Sequence, residues 1–252
     1  MPTRKLFEKT IIIKTNIPNQ KGYVLDNSEN LLTGIDKYLF FIDIIEGSGN
    51  ELKGKFNAIY SSCALAVNNF SFIKKHLSDF IFYNYSGFTQ ANFERQFKTG
   101  LGGTPPNLDF VLENNETVVA FESKYLEPLR ETKVEFSDSY KEEKLCYLDK
   151  FWFDLISEYK GKKLHLDVAQ LIKHSIGLIN YKRFSNKNVV LVYIYWIPDN
   201  YERYAEYSKH TDQLTKFSQE LSKCPNIKFM HLSYNEFWDQ YNNSPLVSCK
   251  EG

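Results

Sequence analysis

The spacing of apolar residues predicts a β-hairpin over residues 105–125. Residues 108–112 and 117–121 form two short apolar runs, and the second is rich in β-branched and aromatic side chains. The polar segment between them, 113–116, contains two asparagines, which tolerate the left-handed backbone that a tight turn requires. The pattern therefore predicts two antiparallel strands joined by a polar turn.

Three charged side chains occupy strand positions of this hairpin that would ordinarily be apolar. Asp109 lies at the start of the first strand, and Glu122 and Lys124 lie at the end of the second. Glu122 and Lys124 are two residues apart, so both side chains point to the same face of the strand. Because an antiparallel hairpin brings the start of one strand beside the end of the other, we expect Asp109, Glu122 and Lys124 to converge.

Two acids and one amine held together indicate a metal-dependent reaction. Neighbouring carboxylates repel each other unless a positive charge lies between them, and a hard, oxygen-seeking cation such as Mg²⁺ suits that position. A lysine beside the metal can orient or deprotonate a water molecule and can stabilise a developing phosphoryl charge. The arrangement therefore predicts metal-assisted hydrolysis of a phosphodiester.

The Glu-x-Lys spacing alone is a weak motif. It occurs in this chain at Glu51/Lys53, Glu122/Lys124, Glu131/Lys133, Glu142/Lys144 and Glu158/Lys160. Only Glu122/Lys124 follows directly on an apolar strand, whereas the others lie in polar surroundings typical of solvated faces. A simple ion pair between Glu122 and Lys124 is the structural alternative to a catalytic role.

The rest of the chain alternates helical and extended patterns. Helices are expected over residues 51–68, 70–82, 89–100, 151–159, 164–181, 199–223 and 234–241. Strands are expected over the doubly buried run 189–197 and the edge run 227–232, and a surface excursion with a helix over 126–150. Residues 11–13 are expected to form either a short strand or an arm, and the C-terminal tail is expected to be disordered.

An acidic side chain, Glu94, lies within the helix expected over 89–100. Thr89 is a suitable N-cap for that helix, and Gly100 is a suitable end. Phe93 and Phe97, four residues apart, supply its apolar stripe, and Glu94 lies about 100° round the helix from Phe93. On this spacing Glu94 is either a site residue or a surface acid paired with a lysine one turn later.

The composition suits one globular domain with a sizeable core. The 252 residues are 42% hydrophobic, and the zero net charge disfavours a nonspecific nucleic-acid coat without excluding a locally basic cleft. The cysteines lack C-x-x-C spacing and the histidines lack zinc-ligand spacing, so we expect a reducing cytoplasm and no zinc site. The apolar runs are too short for a signal peptide or a bilayer span, so no membrane partner is expected.

The expected organisation is a single domain over residues 1–252. Within it we place an N-terminal elaboration at 1–86, a catalytic core at 87–200, and a C-terminal helix-strand-helix at 201–252.

Several local strings resemble a known nuclease family. They are Ser-Ser-Cys-Ala-Leu-Ala-Val-Asn at 61–68, Phe-Glu-Arg-Gln-Phe at 93–97, Gly-Leu-Gly-Gly-Thr-Pro-Pro-Asn-Leu-Asp at 100–109 and Asp-Val-Ala-Gln at 167–170. With the order of elements, they resemble the PD-(D/E)XK nuclease superfamily and, more narrowly, a bacterial family of restriction endonucleases. The resemblance implies an α/β (α+β) fold with an αβββαβ core around a central mixed β-sheet, preceded by extra N-terminal helices.

The resemblance also implies a role for each site residue. Asp109 and Glu122, helped by the backbone carbonyl of Ser123, would hold Mg²⁺, for which Mn²⁺ can substitute. Lys124 would activate or position the attacking water. Glu94 matches the accessory acid on the first core helix and would complete the metal shell.

Two features depart from the superfamily pattern. Gln170 resembles the glutamine of a Gln-x-x-x-Tyr motif, but the fourth residue after it is His174. These two residues either belong to the site or simply cap and solvate a helix face. The Gly- and Pro-rich linker before Asp109 leaves little room for the strand usually found between the Glu94 helix and the Asp109 strand. We expect that strand to be short, displaced or absent.

The combined prediction is a Mg²⁺-dependent DNA endonuclease with a role in restriction or another form of defence. Duplex DNA is the expected partner, and a homodimer and a cognate methyltransferase are further candidates. Two other functions stay open as alternatives. One is a nuclease-like module that binds nucleic acid or protein without cutting, and the other is hydrolysis of RNA or of a branched junction on the same fold.

Overall fold

The fold is built on one mixed β-sheet. A computed structural model describes residues 22–47, 52 and 54–241. The strands of that part are β1 (Gln90–Gln96), β2 (Asn107–Glu113), β3 (Thr117–Lys124), β4 (Thr132–Lys133), β5 (Lys163–Leu164), β6 (Asn188–Tyr195) and β7 (Lys228–Ser233). Five of them form the main sheet in the order β1-β2-β3-β6-β7, and β4 pairs separately with β5.

Helices cover both faces of this sheet. Those of the described part are α1 (Phe41–Glu46), α2 (Ser62–Lys75), α3 (Lys150–Tyr159), α4 (Val168–Ser185), α5 (Ala205–Leu221) and α6 (Tyr234–Tyr241). Apolar residues of α2 and α6 pack in one hydrophobic cluster on the sheet, and those of α3, α4 and α5 pack in a second cluster.

The predicted hairpin is confirmed. β2 and β3 pair antiparallel, and β1 pairs antiparallel with β2. β3 then pairs in parallel with β6, and β6 with β7. Every residue of β3 and all but the first of β6 are buried, as expected for strands covered on both faces.

The order α2, β1, β2, β3, α4, β6 agrees with the expected αβββαβ core around a mixed sheet.

Aromatic side chains attach helix α2 to one face of the sheet. Phe70 of α2 stacks on Phe110 of β2 with ring centroids 4.8 Å apart, and the ring of Phe237 of α6 lies 5.8 Å from that of Phe70.

The helix predicted over residues 89–100 is wrong, because Gln90–Gln96 is strand β1. Glu94 has a left-handed backbone with φ near 50°, which interrupts the alternation of a regular strand. Phe93 and Phe97 consequently belong to different hydrophobic clusters, although their spacing of four resembles one helical face. The core strand expected to be short, displaced or absent before Asp109 is β1, which has seven residues. The first core helix is α2, so Glu94 lies on a core strand and not on that helix.

Most of the other predicted elements are present with shifted ends. In place of the two helices expected over 51–68 and 70–82, the described residues of this region form one α-helix, Ser62–Lys75, flanked by 3-10 turns at Lys55–Asn57 and Leu77–Asp79. Helix α4 begins at Val168, later than predicted, because the Asp167 side chain accepts a hydrogen bond from the Gln170 amide and caps it. Residues 126–150, described in full, contain no α-helix before Lys150.

Two predictions lie outside the described residues: the strand or arm at 11–13 and the disordered tail after residue 241. Among the helices that the structure describes, none combines the length and the apolar character that crossing a membrane requires.

Candidate active site

The candidate site lies at the open end of the hairpin formed by β2 and β3. The ladder between these strands stops at the pair Phe110 and Phe121. Asp109 and Glu122 are the next residues beyond that pair, so they stand opposite each other where the ladder ends. The Ser123 amide donates a hydrogen bond of 2.6 Å to Asp109 Oδ2, which holds the carboxyl group across the gap.

Helix α4 supplies the other side of the site. Lys124 Nζ lies 2.6 Å from Glu122 Oε1 and donates a hydrogen bond of 2.7 Å to Gln170 Oε1. His174 Nε2 lies 2.9 Å from Glu122 Oε2, close enough for an ion pair, although the two groups are not aligned for a hydrogen bond. Gln170 and His174 are four residues apart, so they lie on the same helix face.

Glu94 reaches the site from the neighbouring strand. The register of β1 against β2 on either side of Glu94 places it opposite Asp109. The Asn107 side-chain amide donates a hydrogen bond of 3.0 Å to Glu94 Oε2. Gly47 packs so closely on this strand that an added Cβ would lie 2.8 Å from Glu94 Cβ. Left-handed backbone at a non-glycine residue costs about 1–3 kcal/mol and is often found at functional sites.

These side chains surround one cavity of about 360 Å³. Every residue predicted for the site lines it, namely Glu94, Asp109, Glu122, Ser123, Lys124 and Gln170. The structure therefore brings together residues from β1, β2, β3 and α4. Their chemical roles stay predictions.

The charges of Glu122 and Lys124 stabilise each other. Burial alone would raise the pKa of Glu122, but Lys124 and His174 outweigh it and hold that pKa at about 2. Burial likewise disfavours the ammonium of Lys124, but Glu122, Glu127 and Asp109 hold its pKa above the usual lysine range. Both side chains are therefore charged at neutral pH.

Asp109 has the opposite character. Burial and the charges of Glu122 and Glu94 raise its pKa well above the usual value, and the opposing effects of Lys124 and the Ser123 amide are smaller. The site thus contains one acid whose charge is matched and one whose charge is opposed by its surroundings. A cation beside Asp109 would relieve that repulsion.

The residues present fit a hard cation such as Mg²⁺. Among the described residues, no three His, Cys, Asp or Glu side chains form a ready-made metal cluster. Mg²⁺ does not need one, because it usually binds through one or two carboxylates and keeps waters or substrate phosphates as its other ligands. Asp109 and Glu122 supply two such carboxylates, and both line the cavity.

Seven lining residues were not predicted for the site: Lys55, Ser62, Cys63, Thr104, Pro105, Asn107 and Glu127. Asn107 precedes Asp109 by two residues, so the alternation of β2 could have indicated a side chain on the same face. Lys55 and Glu127 lie in 3-10 turns, where no periodic signal marks them. The contact of His174 with Glu122 depends on how α4 packs against β3.

Residues 43–250 match the model of the family described as "Restriction Endonuclease associating with ARP". Comparison with curated proteins and with solved structures gives no match.

Proposed function

Because the chain belongs to the family of restriction endonucleases associating with ARP, we propose that its cavity hydrolyses phosphodiester bonds of duplex DNA. The observation that carries this proposal is the convergence of Asp109, Glu122 and Lys124 on one cavity at the open end of the hairpin. A carboxylate pair beside an ammonium group suits a reaction in which negative charge develops on a phosphoryl group.

Asp109 and Glu122 would hold Mg²⁺, assisted by the Ser123 carbonyl and by Glu94. The bound cation would supply Lewis-acid polarisation of the phosphoryl oxygens and lower the pKa of a water ligand. Asp109 suits this role because two neighbouring acids already disfavour its lone negative charge. Glu122 suits it because its low pKa keeps it ionised at neutral pH.

Lys124 would act as a charged donor. In the metal-free site the acids around it outweigh the effect of burial and raise its pKa, so the amine is protonated at neutral pH. Its ammonium would orient the attacking water and stabilise the charge that develops on the phosphoryl oxygens. The hydrogen bond to Gln170 Oε1 fixes the direction of Nζ without neutralising its charge.

One such cavity would act on one phosphodiester bond at a time. Cutting both strands of a duplex would require two cavities, and a two-fold homodimer is the simplest arrangement that supplies them.

The test is cleavage of supercoiled plasmid in Mg²⁺. The parent should nick or linearise the plasmid, and Lys124→Met should cut about 10²–10³-fold more slowly, as expected when a transition-state donor is removed. Lys160→Met removes the lysine of another Glu-x-Lys pair and should cut like the parent. If Lys124→Met cuts at the parental rate, the assignment is wrong. A parent that binds the plasmid with Mg²⁺ but leaves it intact would favour the binding-module alternative.

A further inference from the structure

Helix α4 contacts both members of the Glu122/Lys124 pair, each through a different side chain. Gln170 Oε1 accepts from Lys124 Nζ at 2.7 Å, and His174 Nε2 lies 2.9 Å from Glu122 Oε2. Gln170 and His174 lie one turn apart on α4, and Glu122 and Lys124 lie two residues apart on the same face of β3. Because these two spacings are similar, one rigid helix can contact both Glu122 and Lys124.

The His174 ring is fully excluded from solvent. Its Nδ1 makes no hydrogen bond within the described part of the chain, and its nearest polar neighbour given by the structure is the Glu122 carboxylate. Burying an imidazole without further hydrogen bonds is costly, and an apolar residue would pack there at lower cost. The contact with Glu122 is the one feature of this position that an apolar residue could not reproduce.

The two oxygens of Glu122 have different neighbours. Lys124 lies against Oε1 at 2.6 Å, and His174 lies against Oε2 at 2.9 Å. A polar group against each oxygen restricts rotation of the carboxylate about its last bond, whereas a carboxylate held only by Lys124 would follow that long, flexible side chain. His174 thus opposes Lys124 across the carboxylate.

We propose that His174 is a positioning residue that fixes the orientation of the Glu122 carboxylate towards the cation of the active site. The inference rests on the proposed function. Groups that hold a metal-binding carboxylate from behind typically contribute about 10–100-fold to metal affinity. His174 occupies the position of the tyrosine in the resembled Gln-x-x-x-Tyr motif, and its ring contacts Glu122 directly.

The first test is Mn²⁺ binding by titration calorimetry, with no DNA present. His174→Leu keeps a similar apolar volume but removes the ring nitrogens, and it should weaken Mn²⁺ binding about 10–100-fold. His174→Gln keeps an N–H group near the position of Nε2 and should retain affinity within a few-fold of the parent. Equal affinity of the parent and His174→Leu would overturn the role of His174, and so would equal losses in both variants, which would indicate packing alone.

A second readout uses metal-free protein with ¹⁵N-labelled histidine. Glu122→Gln should shift the ring resonances of His174, whereas Glu158→Gln, in an exposed Glu-x-Lys pair, should leave them in place. Unchanged His174 resonances in Glu122→Gln would overturn the inference even if His174→Leu fails to fold. Failure of the proposed function is distinguishable, because a parent that binds no Mn²⁺ refutes the metal site itself. A parent that binds Mn²⁺ no better than His174→Leu refutes only the positioning role.

Discussion

Removing the charge of Glu122 and removing the charge of Asp109 should change metal-free stability in opposite directions. Glu122 is the buried partner of Lys124, so Glu122→Gln leaves an ammonium without its nearest counter-ion. Breaking a buried pair in this way costs about 3–5 kcal/mol. The loss should be near the lower end of that range, because Asp109 still attracts Lys124. At about 2–4 °C per kcal/mol for a chain of this size, the melting temperature should fall by roughly 6–12 °C.

Asp109→Asn removes a charge that its surroundings oppose. The substituted amide oxygen can still accept the hydrogen bond from Ser123, while the repulsion from Glu122 and Glu94 disappears. Single stabilising substitutions commonly contribute about 0.5–2 kcal/mol. The melting temperature should therefore rise by roughly 1–8 °C on the same conversion.

The assay is thermal unfolding of the parent and both variants in EDTA at pH 7.5, followed by circular dichroism. Glu158→Gln serves as the control, since its exposed ion pair with Lys216 contributes little. A lower melting temperature for Asp109→Asn together with an unchanged one for Glu122→Gln would refute the reasoning. That result would mean that the surroundings do not stabilise the charge of Glu122 while disfavouring the charge of Asp109.

Two further predictions concern pH and the packing behind Glu94. Folding raises the pKa of Asp109, so the contribution of Asp109 to folding stability is present in acid and is lost as pH rises. The gain in melting temperature from Asp109→Asn, measured without metal, should therefore grow from pH 5 to pH 8. The pKa of Glu122 is lowered to about 2, so the penalty of Glu122→Gln should be full above the ordinary value of 4.5 and shrink as pH falls towards 2. Gly47→Ala places a Cβ 2.8 Å from Glu94 Cβ and should destabilise the fold by about 1–3 kcal/mol in denaturant melts. Gly54→Ala, where an added Cβ meets nothing within 4 Å, is the control for Gly47→Ala.

The hairpin could be predicted from sequence because its signals are local. Two apolar runs of β-rich residues with a polar turn between them define β2 and β3, and strand alternation places Glu122 and Lys124 on one face. The antiparallel pairing then brings Asp109 opposite them. The convergence of the two acids and the lysine therefore follows from local sequence signals alone.

Strand β1 could not be identified in this way. The left-handed backbone of Glu94 breaks the period of two, and Phe93 and Phe97 then have a spacing that equally suits a helix. Helix α1 and Gly47 pack against β1 from nearly fifty residues away in sequence, so no local pattern indicates this contact. The contacts of α4 with β3 were invisible for the same reason, since Gln170 and His174 indicate a helix face but not what that face meets.

The most direct test of the central claim is one preparation of Asp109→Asn, measured for both duplex binding and duplex cleavage in Mg²⁺. If the cavity performs phosphodiester hydrolysis, the variant should fold, bind duplex DNA at least as tightly as the parent, and cut at least about 10²-fold more slowly. Cleavage by Asp109→Asn at the parental rate would contradict the account, because the hairpin acids would then have no part in the chemistry.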